Sequence, residues 1–172
     1  MKRIWFLFGW FIIPVVMHAQ DSAVDKLFVK YNGREGITSV YISSKMFEMF
    51  TEMEKGDPEF EQAVKGLKGI RILACEGGTV DGKPVNFFTE LMQELPLERY
   101  EELMVVKEKD QNVRFLVREK NGRMVELLMV VGGASDNALI SITGDIDMKS
   151  ISKLSKNLQI EGLEKLDNLE EK

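Results

Sequence analysis

Asp145 and Asp147 stand two residues apart in the segment Thr143-Gly144-Asp145-Ile146-Asp147, where a β-rich run gives way to a helical pattern. Two carboxylates so placed are candidate ligands for Mg²⁺ or Ca²⁺. A pair falls short of the oxygen shell that a hard cation takes. The position also asks for a helix N-cap, which Asp147 supplies, while Asp145 shapes the turn. Glu76 and Asp81 complete the acids from which a carboxylate-dependent, metal-assisted hydrolase would draw its pair.

A second chemistry lies in Met46, Met49 and Met53, which share one helical face with Phe47 and Phe50 beside it. Thioethers bind Cu(I) in an oxidising compartment, and flexible methionines adapt to apolar partners. The same spacing first of all describes a core face. Ser43-Ser44-Lys45 offers a Ser/Lys pair that nothing beyond proximity supports. Glu76-Gly77-Gly78 lacks the glycine spacing and lysine of a phosphate loop. No cofactor is expected.

The first residues remove most other catalytic chemistry. Lys2 and Arg3 precede the apolar run Ile4 to Val16, and Ala19 offers a small residue for cleavage before Gln20. This is the layout of a secretory signal peptide over 1–19, too short for a comfortable membrane span. Met17 stands where a small residue is preferred, so an uncleaved anchor is the alternative. Cleavage would remove His18, the only histidine, and with it Ser/His/Asp or Cys/His catalysis and histidine metal sites. It would leave 21 Lys and Arg against 28 Asp and Glu, a net charge of −7. Such a surface does not favour nucleic acid or anionic membrane. Cys75 is the only cysteine, so no internal disulfide can form, and Ile72-Leu73-Ala74 before it reads as a buried strand end. The expected location is the periplasm or outside the cell, with no membrane span after cleavage.

These residues need elements to position them. At 172 residues, 44% hydrophobic and 30% charged, the chain suits one globular domain, expected over 20–160, with an acidic tail over 161–172. Val24, Leu27, Phe28 and Tyr31 mark a first helix that Asn32-Gly33 stops. Ile37 to Ser43 is a strand, and a serine then opens the Met/Phe helix. Pro58 starts a third helix with Phe60, Ala63, Val64 and Leu67 inward. Gly69 to Cys75 is a strand, 77–84 a loop with a turn at Asp81-Gly82, and Phe87 to Leu95 a helix ended by Pro96. Strands over 102–109, 112–120, 123–132 and 138–143 form an antiparallel meander. Asp147 then caps a last helix with Met148, Ile151, Leu154 and Leu158 on one face. The fold class is α+β: an antiparallel-rich sheet, a C-terminal four-strand meander, and helices packed mainly on one face.

Asn121-Gly122 predicts a two-residue type I′ hairpin. Uninterrupted pairing from that turn sets Val117 against Glu126 and Phe115 against Leu128 on one face. It sets Arg118 against Val125, Leu116 against Leu127 and Arg114 against Met129 on the other. The second face then carries Leu116, Val125, Leu127 and Met129, more apolar surface than water requires. Something should cover it, either the C-terminal segment or a partner.

Several stretches carry a resemblance. Phe28-Val-Lys-Tyr31, Glu35-Gly-Ile-Thr-Ser-Val-Tyr-Ile-Ser43 and Lys45-Met-Phe47 resemble the exported family called domain of unknown function 4252. So do Tyr100-Glu-Glu-Leu-Met104, Val113-Arg-Phe115, and Leu139-Ile-Ser-Ile-Thr-Gly-Asp-Ile-Asp147 running into Ile151-Ser-Lys-Leu154. The resemblance implies a small envelope protein of Bacteroides-type bacteria. No cysteine lies near the leader, so a free rather than lipid-anchored form is implied. It transfers no catalytic residue. The expectation is a non-enzymatic binding or interaction protein with an unidentified envelope protein or apolar ligand as partner. A homo-oligomer is left open, and no nucleic acid is involved. Leu116, Val125, Leu127, Met129, Met46, Met49 and Met53 form the candidate surface.

Overall fold

The computed structural model describes residues 22–53 and 58–147. The leader over 1–19, the helix expected after Asp147 with Met148, Ile151, Leu154 and Leu158, and the tail over 161–172 lie outside the described residues. The side chains of Phe60 and Ala63 do too.

Ser22 opens α1 (Ala23–Tyr31): its hydroxyl accepts from the Asp25 amide while the Asp25 carboxylate accepts from the Ser22 amide. This reciprocal cap satisfies two backbone donors that a helix start leaves bare. Val24, Leu27 and Tyr31 bury one face. The chain continues through β1 (Ile37–Ser43), α2 (Ser44–Met53), α3 (Pro58–Val64) and β2 (Leu67–Glu76). A small hairpin follows, β3 (Thr79–Val80) and β4 (Lys83–Pro84), then α4 (Phe87–Glu94) and a 3₁₀ turn (Leu97–Arg99). The remaining strands are β5 (Glu101–Lys107), β6 (Gln111–Lys120), β7 (Arg123–Gly133) and β8 (Asp136–Ile146).

Six strands make one antiparallel sheet in the order β1-β2-β8-β7-β6-β5. The last strand thus enters between β2 and β7 and joins the two halves. The fold is α+β. α1 and α4 cover one face, where Val24, Leu27, Tyr31, Phe87 and Leu91 meet Leu73, Leu116, Leu128, Val130 and Leu139. The expectation of helices mainly on one face fits only this pair, because α2 and α3 lie on the other. Phe47 of α2 and Val64 of α3 pack on the other face, with Ile70, Phe115, Leu127, Met129, Ile140 and Ile142. Both faces of the sheet are therefore core, which is why β7 and β8 read as near-continuous apolar runs rather than alternating ones.

α4 is docked by polar detail. Asn86 caps it by accepting from the Thr89 amide, and the buried Asn137 carboxamide accepts from the Phe87 amide at 3.0 Å. The Asn137 side chain also donates to the Gly133 carbonyl at 3.3 Å. Gly132 permits this approach: a Cβ there would run into the Asn86 side chain and Phe88 Cβ. α1 closes over α4 through the Tyr31 and Phe87 rings, with centroids 5.0 Å apart. The Tyr31 hydroxyl and the Lys30 ammonium both reach the Glu90 carboxylate at 2.6 Å.

Asn121 and Gly122 take φ of 56° and 70°, the left-handed pair of a type I′ turn. The register beyond the turn differs from an uninterrupted ladder. Lys120 faces Arg123 and Glu119 faces Met124, but Arg118 then faces Glu126. Val125 is the extra residue of a bulge, and every pair farther from the turn moves by one. Val117 meets Leu127, Phe115 meets Met129, and Leu116 meets Leu128. The bulge lets a tight two-residue turn coexist with the side-chain parity the core needs.

Candidate functional site

The corrected register redistributes the hairpin's apolar residues. Leu127 and Met129 share a face with Phe115 inside the α2-side core, and Leu116 points to the opposite face among Leu128 and Val130 under α4. All three are buried, so they present no surface. Val125, the bulged residue, is half-buried. The surplus inferred for one face was an artefact of pairing straight through the bulge; the apolar residues belong to two cores.

α2 stands differently. Phe47 is its buried anchor, while Met46 and Met49 are 43% and 48% exposed. The side chain of Met53 lies outside the described residues. The methionine stripe is thus displaced from the core side of its helix, because Phe47 takes the inward position. Beneath α2 runs β1, the outermost strand, with Val40 37% and Tyr41 57% exposed. Four of the six large apolar residues exposed among the described residues lie on this strand and helix. Tyr41 lies under the Arg71 guanidinium at 5.2 Å, and Arg71 pairs with Asp25 of α1 at 3.1 Å. The Ser39 hydroxyl donates to Asn32 at 2.7 Å. These contacts hold one face of the strand to α1, and among the described residues no strand lies on its outer side. Between α2 and α3 lies a recess of about 260 Å³, with Phe47, Thr51, Val64 and Leu67 in its lining.

A buried carboxylate was not legible in the sequence. Glu126, whose side chain is 4% exposed, accepts from Arg118 Nε at 3.0 Å and Nη2 at 2.9 Å. The Tyr100 hydroxyl donates to the same oxygen at 2.9 Å, and Ser141 Oγ lies 3.5 Å from the other. The network ties Tyr100, the residue just before β5, to β6, β7 and β8. A glutamate inside the apolar run of β7 was the signal; the unshifted register hid it by setting Val125 against Arg118. The donors on Glu126 make it an anchor between strands. Burial, and then the negative Glu126 beside it, push the Tyr100 phenol up to about 12. The protonated phenol is therefore retained by the folded chain after the unfolded chain has lost its proton near pH 10. Its contribution is complete below pH 10 and fades as pH rises through about 12. Ultraviolet titration should show a tyrosine step near pH 12 that Tyr100→Phe removes; a wild-type titration complete by pH 11 would contradict it.

Of the acids of the hydrolase alternative, Asp145 and Asp147 stand at one end of the sheet and Glu76 at the other. Asp145 pairs with Arg123 at 2.7 Å at one end of β8. Glu76 lies at the far end of β2, nine residues from the Leu67 that faces Gly144, or roughly 30 Å of extended chain. Asp81 has φ of 51° in the turn between β3 and β4 and pairs with Arg34 at 2.9 Å, so backbone geometry accounts for it. Asp147 is exposed at the end of β8. Among the described residues, no three acids, cysteines or histidines gather as metal ligands. Cys75 is buried, which pushes its thiol pKa up, and the thiol lies 3.6 Å from the Thr79 carbonyl oxygen.

No curated protein matches the chain, and no solved structure does. One family model matches over residues 31–154, a span from the last residue of α1 past the end of β8 that takes in the whole sheet. The chain belongs to the family described as Domain of unknown function (DUF4252).

Proposed function

We propose that this chain is a non-enzymatic binding protein of the cell envelope, exported by its N-terminal leader, and that it meets its partner through the rim formed by β1 and α2. The observation that carries the reading is the exposure of Val40, Met46 and Met49 along the α2 side of an edge strand and the helix that follows it, with Tyr41 exposed on the strand's other face and no strand beyond β1 among the described residues. Large apolar residues collected on one part of a charged surface mark contact sites more often than chance exposure does. Methionine suits such a place because its unbranched thioether repacks against different shapes. An edge strand adds backbone donors and acceptors that an extended segment can use. The positive-apolar-small order of residues 2–19 supports export.

Site-specific photo-crosslinking in the exporting cell tests this. A photoreactive residue at position 46 or 49 should give a discrete adduct, and one at exposed Lys107 on the opposite edge should not. Equal labelling at the three positions, or none at all, overturns the reading.

A further inference from the structure

The two edges of the sheet are built differently. β5 carries Glu101, Glu102 and Lys107, and its ladder is broken by a shift between Glu102 and Met104. Charges and bulges are the devices by which proteins keep an edge from pairing with another chain. β1 has none of them. Its sequence Ile-Thr-Ser-Val-Tyr-Ile-Ser contains no charge and no proline, and its register with β2 is continuous from Ile37 to Ser43. Among the described residues no strand lies on its outer side.

What would pair with such an edge is constrained by what brackets it. Glu35 precedes the strand and Lys45 follows it, in the first turn of α2. Parallel pairing with a second copy would set Glu35 near Glu35 and Lys45 near Lys45. Antiparallel pairing centred on Val40 sets the Glu35 end of each copy beside the Lys45 end of the other. It also places Ile37 opposite Ser43, Thr38 opposite Ile42 and Ser39 opposite Tyr41, with no charge inside the ladder. The chain as a whole carries a formal net charge of −5, which opposes indiscriminate association, while this edge is locally neutral and self-complementary. A two-fold axis normal to the sheet keeps each α2 on the same side, so Met46 and Met49 of both copies flank the joined strands.

We propose that the occupant of this rim is a second copy of the chain, joined through antiparallel β1–β1 pairing about Val40. The proposal rests on the rim being the contact surface and adds the identity of the partner. Paired residues on the axis have Cα atoms about 4.5–5.5 Å apart, within disulfide reach.

The experiment uses the protein purified from the exporting cell. Sedimentation velocity should give twice the chain mass. Val40→Cys should link into a covalent dimer under mild oxidation. Ser43→Cys should not, since its two copies would sit roughly 20 Å apart along the ladder. Wild-type protein is the control, because Cys75 is buried. Val40→Lys, at a position 37% exposed, should keep the far-ultraviolet circular dichroism of the wild type and weaken self-association about a hundredfold by setting two ammonium groups on the axis. A wild-type monomer at every concentration, or a dimer that links through Glu101→Cys and not Val40→Cys, overturns the proposal. If the chain is monomeric while positions 46 and 49 still crosslink to another protein, the partner is wrong and the rim stands. If those adducts are missing as well, both fall.

Discussion

Phe87→Ala is expected to lower the stability of the fold by about 4 kcal/mol. Phe87 is fully buried at the first position of α4, where three elements meet. Its ring packs on Tyr31 of α1, and its amide is held by Asn137 of β8. Truncation removes the transfer free energy of the ring and opens a cavity that cannot collapse freely. α4 is fixed from below by Asn137 and Gly132, and from above by the ion pairs of Lys26 with Glu94 and Lys30 with Glu90. Those exposed pairs contribute little by themselves. Their value in this comparison is that Lys26→Ala should lower the stability by less than about 0.5 kcal/mol. A chemical-denaturation series in which Phe87→Ala costs no more than Lys26→Ala would show that α4 is not part of the cooperative core.

Arg118→Met should cost about 3 kcal/mol. The reason is what remains rather than what is removed: Glu126, 4% exposed, would be left buried beside Leu128, Leu116 and Ser141 with only hydroxyl donors to it. Arg118 is itself about a third exposed, which places the figure at the lower end for broken buried pairs. The double variant Arg118→Met with Glu126→Leu should regain most of the loss, because well-packed apolar residues replace such a pair at little net cost. If the single and double variants melt together, desolvation of Glu126 is not what the arginine offsets.

Much of this architecture could be read from residue order, and the failures have one main physical source. Periodicity placed α1 and α4 because each buries one stripe, Val24, Leu27 and Tyr31 in α1 and Phe87 and Leu91 in α4, and it placed α2 although only Phe47 of its described apolar residues is buried. Asn121-Gly122 marked the β6–β7 turn because almost no other pair adopts two consecutive left-handed residues easily. What the pattern could not reveal was the unpaired Val125. A bulge changes no residue type, so the ladder drawn through it looks as plausible as the real one while inverting which side chains meet. That slip concealed the Arg118–Glu126 pair and turned core residues Leu127 and Met129 into a surface. The rim was half legible. The exposure of Met46 and Met49 depends on Phe47 taking the inward position, and three neighbouring apolar residues on one turn do not say which of them will do so. The edge status of β1 depends on β8 entering between β2 and β7, a long-range pairing that no local pattern encodes.

The contrast between the two sheet edges has a consequence for the size of any assembly. An isologous contact uses the same strand on both partners, so pairing through β1 would use up the bare edge of each molecule at once. The continuous sheet that results would end on β5 at both extremities, where Glu101, Glu102, Lys107 and the break after Glu102 resist further addition. Such a molecule would close as a pair, with no second bare edge among the described residues from which to grow into a filament. In such a pair, joined through the uncharged β1, the acidic, irregular β5 would serve as a terminator of polymerisation.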